Sequence, residues 1–290
     1  MSIDLIIQGE DIASADLRAL HVMVSANGIE RVTHVAHQAF RLANADDSEE
    51  SRAAVKARCD AVQLDFAFVA SGRKLADIGL LAMDMDSTLI TIECIDEIAD
   101  FVGRKKEVAA VTASAMRGEI DWPESLRQRV ALLAGLEESA LQRVYDERLA
   151  LSPGAEVLIA AAKTNGIKTL LVSGGFTFFT ARLRARLALD FAFSNHLEIV
   201  DGKLTGRVTG LLCDAAAKAR HVRETATQLG LQQERIIVIG DGANDLEMMR
   251  EAGLSVAFRA KPVVQAQANV AINMVGLDGV LALFGKSDKL

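Results

Sequence analysis

Short apolar runs punctuated by glycine recur along this chain, and their spacing divides it into two unlike parts. In the first, Leu5-Ile6-Ile7 predicts a short strand, and residues 12–26 carry apolar side chains at helical spacing. Asn27-Gly28 follows, a pair suited to closing a helix. Residues 29–34 and 36–42 predict two strands. After the acidic turn 44–50 come a helix over 51–62 and an alternating strand over 64–69. The order βαββαβ is that of a ferredoxin-like sandwich. Ser71-Gly72-Arg73-Lys74 reads as a linker, so one unit is expected over residues 1–74 and another over 75–290.

In the second part strands alternate with helices. Residues 78–83, 167–172, 235–239 and 254–258 are brief apolar runs flanked by glycine, the mark of buried parallel strands. Residues 94–150 have helical patterning alone, notably 105–116 and 124–133, which predicts a helical insertion (about 93–152 with its flanks) covering the mouth of the sheet. Val200-Asp201-Gly202-Lys203 sits between alternating runs as a hairpin turn. The expected fold class is α/β, a Rossmann-like parallel sheet with a helical cap insertion, preceded by a ferredoxin-like domain.

Composition narrows the function. Half of the 290 residues are hydrophobic, and the net charge of −7 disfavours nucleic acid or anionic lipid as partner. Cys59, Cys94 and Cys213 are far apart and odd in number, which argues against a disulfide framework or zinc cage and fits a reducing cytoplasm. Neither a signal peptide nor a run near the ~18 apolar residues of a membrane span is present, so a soluble intracellular protein is expected.

The chemistry gathers where strands end. Asp84-Met85-Asp86-Ser87-Thr88 follows the first core strand, and strand alternation would turn Asp84 and Asp86 toward one volume. Val172-Ser173-Gly174-Gly175 lets a hydroxyl and backbone N–H groups approach an anion. Lys218 lies in a polar-alanine stretch, and Gly240-Asp241-Gly242-Ala243-Asn244-Asp245 follows another strand. Four carboxylates in one crevice repel by about 4 kcal/mol per close pair at an effective dielectric near 20. A phosphate dianion cannot enter unaided; a hard divalent cation, with Mg²⁺ the natural choice, together with Lys218 would admit it.

These motifs, in this order, resemble the haloacid dehalogenase superfamily of phosphatases over about residues 78–275. The resemblance implies that Asp84 attacks phosphorus and becomes an aspartyl-phosphate, while Asp86 protonates the leaving oxygen and then activates water. It implies Mg²⁺ on the Asp84 carboxylate, the Asp86 carbonyl and Asp241, with Asp245 behind them. Ser173, Gly174 and Lys218 would hold the phosphoryl oxygens, and Asn244 would assist binding. Glu93 and Arg127 match positions for an ammonium and a carboxylate, and Met116 and Trp122 match apolar lid positions. The implied substrate is O-phospho-L-serine. Another small phosphorylated metabolite, or transfer to an acceptor other than water, is the neighbouring reading. A phospho-accepting receiver is disfavoured by Asp86 and the insertion. The first unit resembles an ACT-type regulatory module in element order; a role in regulation or in assembly of a homodimer is the expectation there.

Overall fold

The computed structural model describes residues 2–285, the side chain of Met116 excepted. The first unit comprises β1 (Ile3–Gly9), α1 (Ser14–Met23), β2 (Gly28–Arg31), β3 (Gln38–Ala43), α2 (Glu49–Val62) and β4 (Asp65–Ala70). Its strands pair antiparallel in the order β2-β3-β1-β4, the ferredoxin-like arrangement. Alternation along β1 divides its fully buried side chains between two cores. Leu5 and Ile7 pack with Leu20, Val55 and Cys59 of the helices, whereas Ile6 joins the core shared with the second unit. The helix α1 closes earlier than Asn27-Gly28: Ser25 takes the left-handed turn at φ 48° and Gly28 already opens β2. Val24 and Ala26 are buried in the helix-side core, and their burial draws the chain back toward the sheet at that point.

The second unit is built on a seven-stranded sheet. Its elements in chain order are β5 (Leu80–Met83), the insertion helices α3 (Cys94–Phe101), α4 (Lys105–Met116), α5 (Trp122–Ala131) and α6 (Ser139–Glu147), then α7 (Ala155–Thr164), β6 (Lys168–Phe176), α8 (Thr177–Leu187), β7 (Phe191–Val200), β8 (Lys203–Thr209), α9 (Ala215–Gln228), β9 (Ile236–Gly240), α10 (Leu246–Met249), β10 (Leu254–Phe258), α11 (Pro262–Gln265) and β11 (Val270–Ile272). The strand order is β11-β10-β9-β5-β6-β7-β8. Pairings from β11 to β7 are parallel, and only the β7–β8 hairpin is antiparallel. Every residue of β5, β9 and β10 is buried, which explains their unbroken apolar runs. Because β5 lies between β6 and β9, their carboxyl ends open side by side, and the four insertion helices leave the chain at that same end.

The units are joined by polar contacts as well as by the shared core. The Asp65 carboxylate accepts the backbone N–H groups of Asn273, Met274 and Val275 at 2.7, 2.8 and 3.1 Å. His34 Nε2 lies 3.0 Å from the Leu281 carbonyl, and His37 Nδ1 lies 3.6 Å from Asp278. Among the described residues no helix is long and apolar enough to cross a membrane.

Candidate active site

β5 stops at Met83, one residue short of the first carboxylate. From there a single wide turn runs over Met85–Leu89, interrupted by extended Asp86 and by Ser87 at φ 55°. Asp84 and Asp86 therefore reach one cavity because this turn folds back, not because a strand alternates as expected. The turn is pinned from several sides. Asp84 Oδ1 accepts from the Met85 N–H at 2.7 Å, Asp86 Oδ1 from the Cys94 N–H at 3.0 Å, and Thr88 Oγ1 donates to Asp241 Oδ1 at 2.9 Å.

Lys218 lies in the first turn of α9, where the helix dipole disfavours a cation. Two carboxylates overcome this: Lys218 Nζ is 2.8 Å from both Asp84 Oδ2 and Asp245 Oδ1, and the side chain is only 1% exposed. Burial alone would lower the lysine's pKa, but Asp245 and Asp84 outweigh it and hold the ammonium charged. Asp245 is committed to structure on both oxygens. Oδ1 takes Lys218, and Oδ2 accepts the Asp241 and Gly242 N–H groups at 3.1 and 3.0 Å. Gly240 is required here, since a Cβ would fall 2.5 Å from Asp245 Oδ2.

One oxygen each of Asp84, Asp241 and Asp245 lies within 4.8 Å of the others. Three carboxylates against one ammonium leave the group short of positive charge. Burial, then repulsion from Asp245, pushes Asp84 upward and lifts Asp241 to about 6. An all-oxygen set in this condition fits a hard divalent cation, which would restore ionised carboxylates near neutral pH. Asp86 stands apart from that group. Burial first, then the Glu93 carboxylate, raises it to about 7, a value suited to giving and taking a proton near neutrality.

A cavity of about 510 Å³ joins these groups to the insertion. Glu93, Trp122, Gly174 and Asn244 line it beside Asp84, Asp86 and Asp241. Ser173 is fully buried behind the wall, its Oγ accepting the Gly175 N–H at 2.8 Å. A Cβ on Gly174 would come within 3.0 Å of the Trp122 ring, and one on Gly175 within 2.7 Å of Asp86 Oδ2. The two glycines thus let the cap and the acid close on the irregular carboxyl-terminal end of β6. Glu93 Oε1 accepts from Ser87 Oγ at 2.7 Å. The Met116 side chain lies outside the described residues.

Residues 81–250 match the sequence model of the haloacid dehalogenase-like hydrolases. The chain belongs to that family. Residues 5–55 also match a domain of unknown function. This haloacid dehalogenase-like hydrolase is 57% identical over 216 residues to the phosphoserine phosphatase of Albidiferax ferrireducens, an alignment covering 73% of this chain and 91% of the relative. A probable phosphoserine phosphatase from Vibrio cholerae, solved unliganded, superposes with a TM-score of 0.83 at 39% identity, over 97% of this chain and 85% of that one. A phospho-aspartyl intermediate analogue of phosphoserine phosphatase superposes with a TM-score of 0.67 at 38% identity, over 72% of this chain and 99% of the other.

Arg127 is not on the cavity of this hydrolase. Its side chain is 61% exposed and pairs with Glu124 on the outer face of α5, 3.6 Å away. Arg129 lines the cavity instead. The helical phase explains the correction: Trp122, Ser125, Leu126 and Arg129 share the inner face, whereas Arg127 is rotated by half a turn from Arg129. The phase set by Trp122 was the available signal. Asp96 and Lys261 also line the cavity and were missed. So was Asn195, fully buried, whose amide donates to the Gly174 carbonyl and accepts from the Cys213 N–H, each at 2.8 Å. Nothing local in the sequence sets Asn195 apart, because only folding brings β7 beside both turns.

Proposed function

We propose that this chain is a phosphoserine phosphatase, hydrolysing O-phospho-L-serine to L-serine and phosphate through a phosphorylated Asp84, the last step of serine biosynthesis in the cytoplasm. The observation that carries the reading is a single cavity shared by two sets of groups. One is the Asp84, Asp86 and Asp241 cluster; the other is Glu93 with Arg129, a carboxylate and a guanidinium suited to the substrate's ammonium and carboxylate. Relatives bearing that name at 57% identity support it.

In this mechanism the Asp84 carboxylate displaces the serine oxygen at phosphorus, and Asp86 gives that oxygen its proton. Asp86 then takes a proton from the water that attacks the aspartyl-phosphate, which releases phosphate and restores Asp84. Lys218, with the Ser173 hydroxyl and the Gly174 N–H, would stabilise the phosphoryl oxygens as charge spreads over them. Asn244 would assist at the same wall. Mg²⁺ is the proposed cofactor, held by Asp84, Asp241 and the Asp86 carbonyl, with Asp245 fixing the loop; when bound it offsets the charge between carboxylates and phosphate. Trp122 would cover the substrate. Residues 1–74 would form a regulatory or assembly module on the phosphatase unit 75–290, with pairing of two chains as its proposed use.

Phosphate release from phosphoserine with Mg²⁺ tests the activity, and Asp84→Asn should abolish it. Arg129→Ala should raise KM for phosphoserine about tenfold or more, the loss of a charge-assisted pair, while Arg127→Ala stays within about twofold. Phosphoethanolamine, which lacks the carboxylate, should be insensitive to both. Equal effects of the two arginines would remove the specificity argument, and turnover by Asp84→Asn would remove the nucleophile.

A further inference from the structure

We propose that Lys261, on the loop between β10 and α11, is a phosphate-binding residue at the mouth of the cavity, attracting the phosphorylated substrate and retaining phosphate beside the Asp241 loop. The inference rests on the reading of this cavity as the site for a phosphorylated metabolite.

Charge at the cavity wall motivates it. Asp84, Asp86, Glu93, Asp96 and Asp241 face the space, against two cations, Arg129 and Lys261. Lys218 beneath them is already held by Asp84 and Asp245. Arg129, on the insertion, suits the substrate's carboxylate. Lys261 remains: among the described residues its ammonium has no carboxylate within 4.0 Å and no hydrogen-bond partner.

The backbone beneath Lys261 is held by several hydrogen bonds. Arg259 takes a left-handed φ of 47°, and its N–H donates to the Ile272 carbonyl at 2.7 Å. Gln265 Nε2 donates to the Ala260 carbonyl at 2.6 Å and to Asn273 Oδ1 at 3.2 Å. The Lys261 N–H itself donates to the carbonyl of Asp241 at 3.2 Å. The root of the side chain is therefore tied to the loop that carries Asp241 and Asn244, while its four-carbon stem leaves the charge free to follow an anion. A compact ammonium serves a phosphate as a point charge. At an acidic mouth, such a charge favours entry of an anion that the rest of the wall repels.

The test compares wild type, Lys261→Gln and Lys261→Arg for phosphoserine hydrolysis and for competitive inhibition by inorganic phosphate, at low and high salt. Lys261→Gln should raise both KM and the inhibition constant of phosphate by about tenfold. Its kcat should stay within about threefold, and the salt dependence of KM should flatten. Lys261→Arg should recover most of the loss. Constants within twofold of wild type, or a fall in kcat at unchanged KM, would overturn the assignment. A wild type inert toward phosphoserine but active on p-nitrophenyl phosphate would defeat the substrate reading alone. Phosphate inhibition measured with that reporter would still judge Lys261.

Discussion

Each acidic side chain in the site is shaped by the burial that surrounds it, and this has a measurable consequence for stability. Asp86 is raised to about 7 by burial and then by Glu93, and Asp241 to about 6 by burial and then by Asp245. In the unfolded chain such carboxyls ionise near 3.9. Between these limits the metal-free folded protein keeps protons that the unfolded chain has lost, so its stability falls as pH rises through 4 to 7. A cation bound at Asp84 and Asp241 favours the ionised forms and opposes that fall. The melting temperature in a chelator should therefore drop from about pH 5.5 to about pH 7.5, and Mg²⁺ should flatten or reverse the slope. Asp241→Asn should shrink the drop in the chelator and abolish the response to Mg²⁺. Identical slopes with and without the ion would show that these carboxylates do not bind it. The carboxylates themselves were legible from sequence because each lies in a short motif beside a strand end, although folding alone brings Asp84 to Lys218 and Asp241 to Thr88. The sequence points to Arg127 where the structure puts Arg129 on the cavity, because facing depends on helical phase, and residue type without phase does not distinguish two arginines on one helix.

Among the elements, the β7–β8 hairpin does more than end the sheet. Its turn, Asp201 at φ 50° and Gly202 at φ 74°, follows the hairpin signal in the sequence. What was not legible is where the hairpin goes: β8 packs against α5, the helix that carries Trp122 and Arg129. The Gly135 N–H donates to the Leu204 carbonyl, the Leu204 N–H to the Leu136 carbonyl and the Glu138 N–H to the Gly202 carbonyl, each at 2.8 Å. Gly206 makes the close approach, with φ 82° and an implied Cβ only 2.8 Å from the Ala134 side chain and 3.2 Å from Ala131 Cα. Gly206→Ala therefore combines backbone strain with overpacking, and a loss of about 1–3 kcal/mol is expected in urea unfolding. Because the strain falls on α5, KM for phosphoserine should rise more than kcat falls. A variant with wild-type stability and KM would mean that the hairpin does not support the cap. The insertion was readable as helical from its periodicity, but its buttress comes from a segment about seventy residues later, and such a contact leaves no local pattern.

At the scale of the whole molecule, the first unit is fastened to the last strand of the catalytic sheet by one buried carboxylate. Asp65 opens β4 and receives three consecutive backbone N–H groups from residues 273–275, just beyond β11. The ferredoxin-like order of residues 1–74 was visible in the alternating runs, yet a strand signal for Val270–Ile272 was not, since three residues are too few to establish a period. The fastening has a reach beyond the seam, because Asn273 also exchanges hydrogen bonds with Gln265 at 3.2 and 3.3 Å, and Gln265 holds the Ala260 carbonyl next to Lys261. Asp65→Ala would leave three amide hydrogens without their acceptor in a buried seam, where each unmet donor costs about 1–3 kcal/mol. Water entering the space would recover part of that. The expected result is a lower urea midpoint by at least about 2 kcal/mol in unfolding free energy, with faster proteolysis at the connecting residues 71–74. Asp65→Asn keeps one acceptor oxygen but turns an amide toward an N–H donor, so it should fall between wild type and alanine. If all three proteins unfold together and resist protease equally, the carboxylate is dispensable, and the apolar contacts around Ile6 with the polar contacts of His34 and His37 hold the two units in place.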